Sequence, residues 1–194
     1  MGSIAIDLAE RYTYADYLGW DDSERWELIG GKAFNMTPAP SRRHQDISGE
    51  IFRQISNYLV GKPCRLYAAP FDVRIPERSR ADDAITNVVQ PDLVVVCDPS
   101  KLDDRGCIGS PDFIVEILSP ATARKDMKEK FLLYEQAGVR EYWIVDPSAT
   151  TVMVFRRGED DRYGRPNIYG AEEKVAVGIF DDLEIELTTV FGEK

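Results

Sequence analysis

Two stretches of the chain set a carboxylate inside a run of strand-forming apolar residues. Pro111-Asp-Phe-Ile-Val-Glu-Ile-Leu-Ser-Pro120 holds Glu116 among Phe113, Ile114, Val115, Ile117 and Leu118. Val88-Val-Gln-Pro-Asp-Leu-Val-Val-Val-Cys97 holds Asp92 at the head of a second such run. Runs this apolar belong to strands covered on both faces. A carboxylate buried there needs a partner or becomes neutral. If the two strands are neighbours, Asp92 and Glu116 converge, and they repel each other unless they share a proton or a cation. A hard divalent ion such as Mg2+ takes oxygen donors of that kind. The simpler alternative is that each carboxylate caps a turn or pairs with an arginine.

Further chemistry-bearing residues stand near these two. Asp126, Lys130 and Tyr134 fall at i, i+4 and i+8 of a helix expected over about 125–137. As a surface pair, Asp126 and Lys130 would contribute about 0.3–0.5 kcal/mol. Truncating Lys130 would then cost under about 1 kcal/mol. Alternatively, the first turns of this helix lean back over the end of the preceding strand and bring Lys130 to Glu116. His44, the single histidine of the chain, shares a helical face with Ile47, Ile51 and Ile55. It is therefore expected to point inward, as a core or cap residue or as a functional one. Glu27, between Trp26 and Leu28, is another carboxylate among apolar neighbours. Asp72 has the same character and is expected to pair with Arg74 or another arginine. No GxSxG elbow is present, and Gly30-Gly31-Lys32 does not complete a P-loop. A glycosidase also needs two carboxylates, but Trp20, Trp26 and Trp143 declare no sugar-stacking groove.

The elements that must position these residues follow from periodicity and caps. Thr13 suits the N-cap of a short helix, and 25–36 reads as a hairpin turning at Gly30-Gly31. Pro38-Ala-Pro40 breaks the chain, after which Ser41 caps a helix to about Val60 with Ile47, Ile51, Ile55 and Leu59 on its buried stripe. Strands follow at about 65–69, 72–76, 92–97 and 113–118, with 77–87 as an exposed loop. Gly138 ends the second helix. Strands at 139–145 and 151–155 come next, and weak alternation over 163–188 suggests short antiparallel strands. This order predicts an α+β fold, a mixed central sheet with helices packed on it. The segment from Phe113 through Val145 reads as one right-handed parallel crossover.

Composition bounds the rest. A chain of 194 residues, 43% hydrophobic and 30% charged, is expected to form one globular domain. It has no membrane-length apolar run and no signal-peptide layout, which predicts a cytoplasmic protein. The odd cysteine count, with no CxxC pair among Cys64, Cys97 and Cys107, argues against a disulfide framework or a zinc site and leaves Cys97 as a small hydrophobe. The net charge of −10 opposes non-specific adhesion to nucleic acid. A bound metal or a local basic cluster can still reverse the field at one cleft, with Arg42-Arg43, Arg78, Arg80, Arg124 and Lys128 as candidates.

Taken together, Trp26-Glu-Leu-Ile-Gly-Gly31, His44, Gln90-Pro-Asp-Leu-Val-Val-Val96, Phe113-Ile-Val-Glu-Ile-Leu-Ser-Pro120, the Asp126/Lys130/Tyr134 spacing and Gly138-Val-Arg-Glu-Tyr-Trp-Ile-Val-Asp-Pro147 resemble the Uma2 family. That family is assigned as candidate endonucleases of the PD-(D/E)XK superfamily, and the resemblance runs from about residue 13 to 191. It implies a restriction-endonuclease-like core in a single domain over 1–194 and a Mg2+-dependent site, with Mn2+ as a substitute. Asp92 and Glu116 would be metal ligands, with the carbonyl of Ile117 a further one. The superfamily lysine belongs two residues after Glu116, where Leu118 stands, so the resemblance points to Lys130 in its place. Glu27 and His44 match the remaining polar positions. The implied partner is nucleic acid, with DNA the first expectation, cleaved by a homodimer whose two sites meet two strands. The rival readings are a catalytically inactive nuclease-fold binding module and a different enzyme built on a carboxylate pair.

Overall fold

The computed structural model describes residues 6–20, 24–36, 39–120 and 122–192. Residues 1–5 of the segment read for a targeting signal, and Pro38 of the expected chain break, lie outside them. In chain order the elements are α1 (Tyr14–Tyr17), β1 (Trp26–Ile29), β2 (Lys32–Asn35), α2 (Arg42–Leu59), β3 (Arg65–Ala68), β4 (Val73–Arg74), β5 (Val88–Val89), β6 (Leu93–Val96), β7 (Leu102–Asp103), β8 (Gly106–Ile108) and β9 (Phe113–Ile117). A π-helix (Lys125–Lys130) then runs into α3 (Phe131–Ala137), followed by β10 (Glu141–Asp146), β11 (Thr151–Arg156), β12 (Asn167–Gly170), β13 (Lys174–Ala176), β14 (Glu184–Glu186) and α4 (Leu187–Phe191).

The class is α+β, but the strands divide between sheets rather than forming one. Sheet one has the order β2-β1-β5-β4-β8-β7, and sheet two β12-β11-β10-β9-β6-β3. The strands β13 and β14 pair apart from both. The division was not legible because β5, β7 and β8 are only two or three residues long, too short to carry a period. In sheet two, β9 and β10 are parallel, joined through the π-helix and α3, while β6 and β9 are antiparallel.

Alternation along the strands of sheet two sorts the core. Leu93, Val95, Phe113, Val115 and Trp143 meet Ile47, Ile51 and Ile55 of α2. Val94, Ile114, Tyr142 and Ile144 face the other way, toward Tyr134 of α3 and Val73 and Val89 of sheet one. Ser41 caps α2 as expected, its Oγ accepting the His44 N–H. Each fully buried isoleucine of the α2 stripe contributes about 1.5–3 kcal/mol, so α2 is held by this face rather than by propensity.

Other local features behave as the sequence predicts. Thr13 forms a capping box with Asp16, and Gly30 and Gly31 turn the first hairpin at φ 56° and 76°. Gly138 ends α3 at φ 84°. Two expectations fail. The 77–87 segment ends buried, because Asn87 accepts the Gly30 N–H and the Thr86 carbonyl accepts that of Gly31, pinning the hairpin tip. Cys64 and Cys97 form a disulfide. Antiparallel β3 and β6 set Arg65 opposite Val96, so the flanking cysteines face each other, a pairing that sequence spacing does not reveal. The short antiparallel strands expected over 163–188 are β12, β13 and β14, and the short helix α4 follows them. Among the described residues, no helix is long and apolar enough to cross a membrane.

Candidate metal and catalytic centre

The chain crosses from sheet one to sheet two between β5 and β6, and Asp92 sits at that crossing. The β6–β9 ladder pairs Leu93 with Val115 and Val94 with Ile114. One step further, it sets Asp92 opposite Glu116. The Ile117 N–H donates to Asp92 Oδ2 at 2.7 Å, which ties the two strand ends together. Opposed residues of an antiparallel pair point to the same face. The two carboxylates therefore converge, as their spacing suggested.

Opposite Glu116 stands Lys130. Its Nζ lies 2.8 Å from Glu116 Oε1 and 2.8 Å from Glu27 Oε1, with Asp126 Oδ1 at 3.6 Å. The Tyr134 hydroxyl donates to the same Glu116 oxygen at 2.7 Å. The expected exposed Asp126–Lys130 pair is thus corrected: both side chains are 2% exposed. The cause lies in the helix. Residues 125–130 form a π-helix, whose i→i+5 bonding brings residues five apart onto one face. Lys125 therefore also reaches Glu27, at 2.5 Å from Oε2. Nothing in the sequence signals this register, so the role of Lys125 escaped sequence reasoning. Glu27 arrives from sheet one, opposite in alternation to Trp26 and Leu28, and also accepts the Gln90 N–H at 2.9 Å. His44 closes the group from α2, with Nε2 3.2 Å from Asp92 Oδ2. All five side chains singled out in the sequence, Asp92, Glu116, Lys130, Glu27 and His44, belong to one connected cluster.

Titration follows the wiring. Burial opposes ionisation of Glu27, but the charges of Lys130 and Lys125 overcome it and lower its pKa to about 2. Burial pushes Glu116 well above the usual carboxylate range. Lys130 offsets this only in part, while Asp126, Asp92 and Glu27 add repulsion. Burial alone would lower the Lys130 pKa, yet Glu116, Glu27 and Asp126 raise it well above the ordinary lysine value. For His44, burial is outweighed by the hydrogen bond and charge of Asp92 and by the Ile117 backbone, so its pKa is raised. Asp126 is raised by burial. Its Oδ1 has no hydrogen-bond partner.

These residues fit a hard divalent cation. Asp92 Oδ1 and Glu116 Oε2 accept no hydrogen bond from the described residues, while their other oxygens are held in place. Four carboxylates (Glu27, Asp92, Glu116 and Asp126) face two ammoniums and one imidazole in the cluster, so acidic groups outnumber basic ones. Among the described residues, no three His, Cys, Asp or Glu side chains are grouped so as to hold a metal ion together. Mg2+ characteristically takes one or two carboxylates and keeps several waters. Two carboxylates are a donor set of that kind.

A family model described as "Uma2: Putative restriction endonuclease" matches residues 14–188. The chain belongs to the Uma2 family. It is also similar to an uncharacterised protein of Synechocystis sp. strain PCC 6803, with 26% identity over 148 residues, covering 75% of this chain and 74% of that one. A crystal structure described as "a putative nuclease belonging to DUF820" from Anabaena variabilis ATCC 29413 shares the fold. Its TM-score is 0.73 at 20% identity, over 93% of this chain and 97% of that one. The Uma2 match spans every element that builds the carboxylate cluster, from β1 to α3.

Asp72 departs from expectation. Arg74 turns to Asp103 instead, and Asp72 Oδ1 accepts from Gln90 Nε2 at 2.8 Å and from the Tyr17 hydroxyl at 3.2 Å. Gln90 was singled out only as part of a motif. Its backbone touches the cluster, and its side chain braces Asp72.

Proposed function

We propose that this protein is a Mg2+-dependent endonuclease that hydrolyses phosphodiester bonds of DNA. One observation carries the reading: Lys130 Nζ stands 2.8 Å from Glu116 Oε1, on a carboxylate that the strand register sets opposite Asp92. That gives two acidic ligand candidates and a cation at one end of one sheet. Membership of a family described as restriction endonucleases supports it.

Mg2+ bound there would supply Lewis-acid polarisation of water and charge neutralisation at the scissile phosphate. Asp92 and Glu116 would hold it, with the Ile117 carbonyl at hand. His44 and the Ile117 N–H fix one Asp92 oxygen and leave the other free. Tyr134 and Lys130 do the same for Glu116. Lys130, anchored by Glu27, presents a cation to negative charge developing on the phosphate oxygens. Water adds at phosphorus as a P–O bond breaks, leaving a phosphate monoester and a free hydroxyl.

The test is cleavage of labelled single- and double-stranded DNA and RNA with Mg2+, with Mn2+ and with EDTA. Metal-dependent cleavage that Asp92→Asn and Glu116→Gln each reduce about 10²-fold or more is the expected result. A second reading has its own support: Lys130 is 2% exposed and saturated by carboxylates, as a purely structural counter-ion would be. A wild-type protein inert on all substrates, with no thermal stabilisation by millimolar metal, would leave a binding module on a nuclease fold.

A further inference from the structure

Next to the carboxylate cluster, on the far side of Gln90, the surface forms an open hollow of about 470 Å3. One wall is aromatic. The rings of Tyr67 and Phe71 stack parallel, with centroids 4.1 Å apart and planes 3° from coplanar, and both residues are only half-buried. Asp72 lines the same space. Its Oδ1 is held by Gln90 and Tyr17, while Oδ2 accepts no hydrogen bond from the described residues. The brace is fully committed: Arg25 donates to Gln90 Oε1 at 3.0 and 2.7 Å, and Gln90 Nε2 donates to Tyr17 at 3.1 Å as well as to Asp72. The direction of the Asp72 carboxylate is therefore fixed before any ligand arrives.

The hollow is joined to the candidate centre by backbone. The Gln90 N–H donates to Glu27 Oε1, and the Ala69 N–H, between Tyr67 and Phe71, donates to the Asp92 carbonyl at 3.1 Å. A phosphate at Asp92 and Glu116 would have its flanking nucleotide here.

We propose that this hollow binds one unstacked nucleobase bearing an exocyclic amino group, from a single strand or from a nucleotide flipped out of a duplex. The placement of the phosphate rests on the nuclease reading above, but the base site stands on its own residues. A paired base is stacked on both faces and its edge is occupied, so only an unstacked one can meet an aromatic wall and a carboxylate together. The free Asp72 oxygen is an acceptor, which suits the amino groups of cytosine, adenine and guanine. Thymine and uracil offer only the N3–H, flanked by two carbonyls that a carboxylate repels. Asp103, Asp104 and Arg105 stand on the rim, and Arg105 is paired with Asp82, so the rim is acidic on balance and favours entry of the base over the phosphate.

The experiment measures binding in EDTA, where metal-dependent cleavage is off. Fluorescence anisotropy with oligo-dC, oligo-dA and oligo-dT of equal length is run on the full chain, with deoxycytidine and thymidine as free competitors. The expected result is a preference of about 10-fold or more for the amino-bearing oligomers, with deoxycytidine the better competitor. Asp72→Asn keeps an acceptor for Gln90 and Tyr17 but turns the free position into a donor, so the preference should shift toward dT. Asp72→Ala should abolish it. Tyr67→Ala should weaken all oligomers, with Tyr67→Leu as the apolar variant if Tyr67→Ala unfolds. Equal binding of dC and dT, or a preference unmoved by Asp72→Asn, would overturn the proposal, as would no binding at all. The two readings separate cleanly. Asp92-dependent cleavage without an Asp72-dependent preference sinks the base site alone, and the reverse sinks the nuclease reading alone.

Discussion

At the scale of single residues, Lys130 decides most. Because it is 2% exposed among three carboxylates, removing it strands buried charges. Lys130→Ala is therefore expected to destabilise by about 3–5 kcal/mol, against under about 1 kcal/mol for an exposed pair. Urea unfolding checks this, with exposed Lys128→Ala as the control expected to stay within about 0.5 kcal/mol. A small loss for Lys130→Ala would mean that its buried ion pairs do not form in solution. Glu27 gives a pH signature. Its folded pKa of about 2 lies below the unfolded value of 4.5, so it contributes stability that is fully present above pH 4.5 and lost as pH falls toward 2. The loss amounts to about 3 kcal/mol. Glu116 and Asp126 are shifted the other way. Their effect lies above the usual carboxylate range, where stability falls as pH rises. Thermal melts across pH 2–5 should show a steeper acid slope in the wild type than in Glu27→Gln.

At the scale of elements, the site depends on short pieces that hold each other. The β7–β8 hairpin brings Gly106 against the backbone of Asp72, where an added Cβ would lie 2.2 Å from the Asp72 carbonyl oxygen, at a φ of 120°. Gly106→Ala should therefore destabilise by more than about 1 kcal/mol and disturb Asp72, which is checked by chemical denaturation together with base-preference measurements. The π-helix is the other such element. How far it was legible is instructive: the helix over 125–137 and its stop at Gly138 were plain from caps and periodicity. The π register was not, because α and π turns share the same apolar and capping signals over so short a span.

At the scale of the whole molecule, a net charge of −10 must be overcome wherever a polyanion binds. Arg124 and Lys128 are exposed at the start of, and along, the helix that carries Lys130. If they form the basic rim, each alanine substitution should weaken nucleic-acid binding about equally across sequences and reduce the slope of log K against log salt by about one. A salt titration of the two single variants measures it, and unchanged slopes would place the rim elsewhere.

The sequence by itself determined the α+β class, the caps, the α2 stripe and the carboxylates set in apolar strands. Each is written within a few residues and governed by local periodicity or by the cost of burying a charge. The Uma2 motifs likewise stand in short contiguous stretches. Only the tertiary structure decided that the strands form two sheets, that Cys64 meets Cys97, that Asp72 turns to Gln90 rather than Arg74, and that Lys130 is buried. Those outcomes depend on which strand ends meet across tens of residues, as when Glu27 of sheet one and Glu116 of sheet two share one ammonium at 2.8 Å each. A chain specifies such a meeting only through the packing of both sheets at once, and that packing has no local period to read.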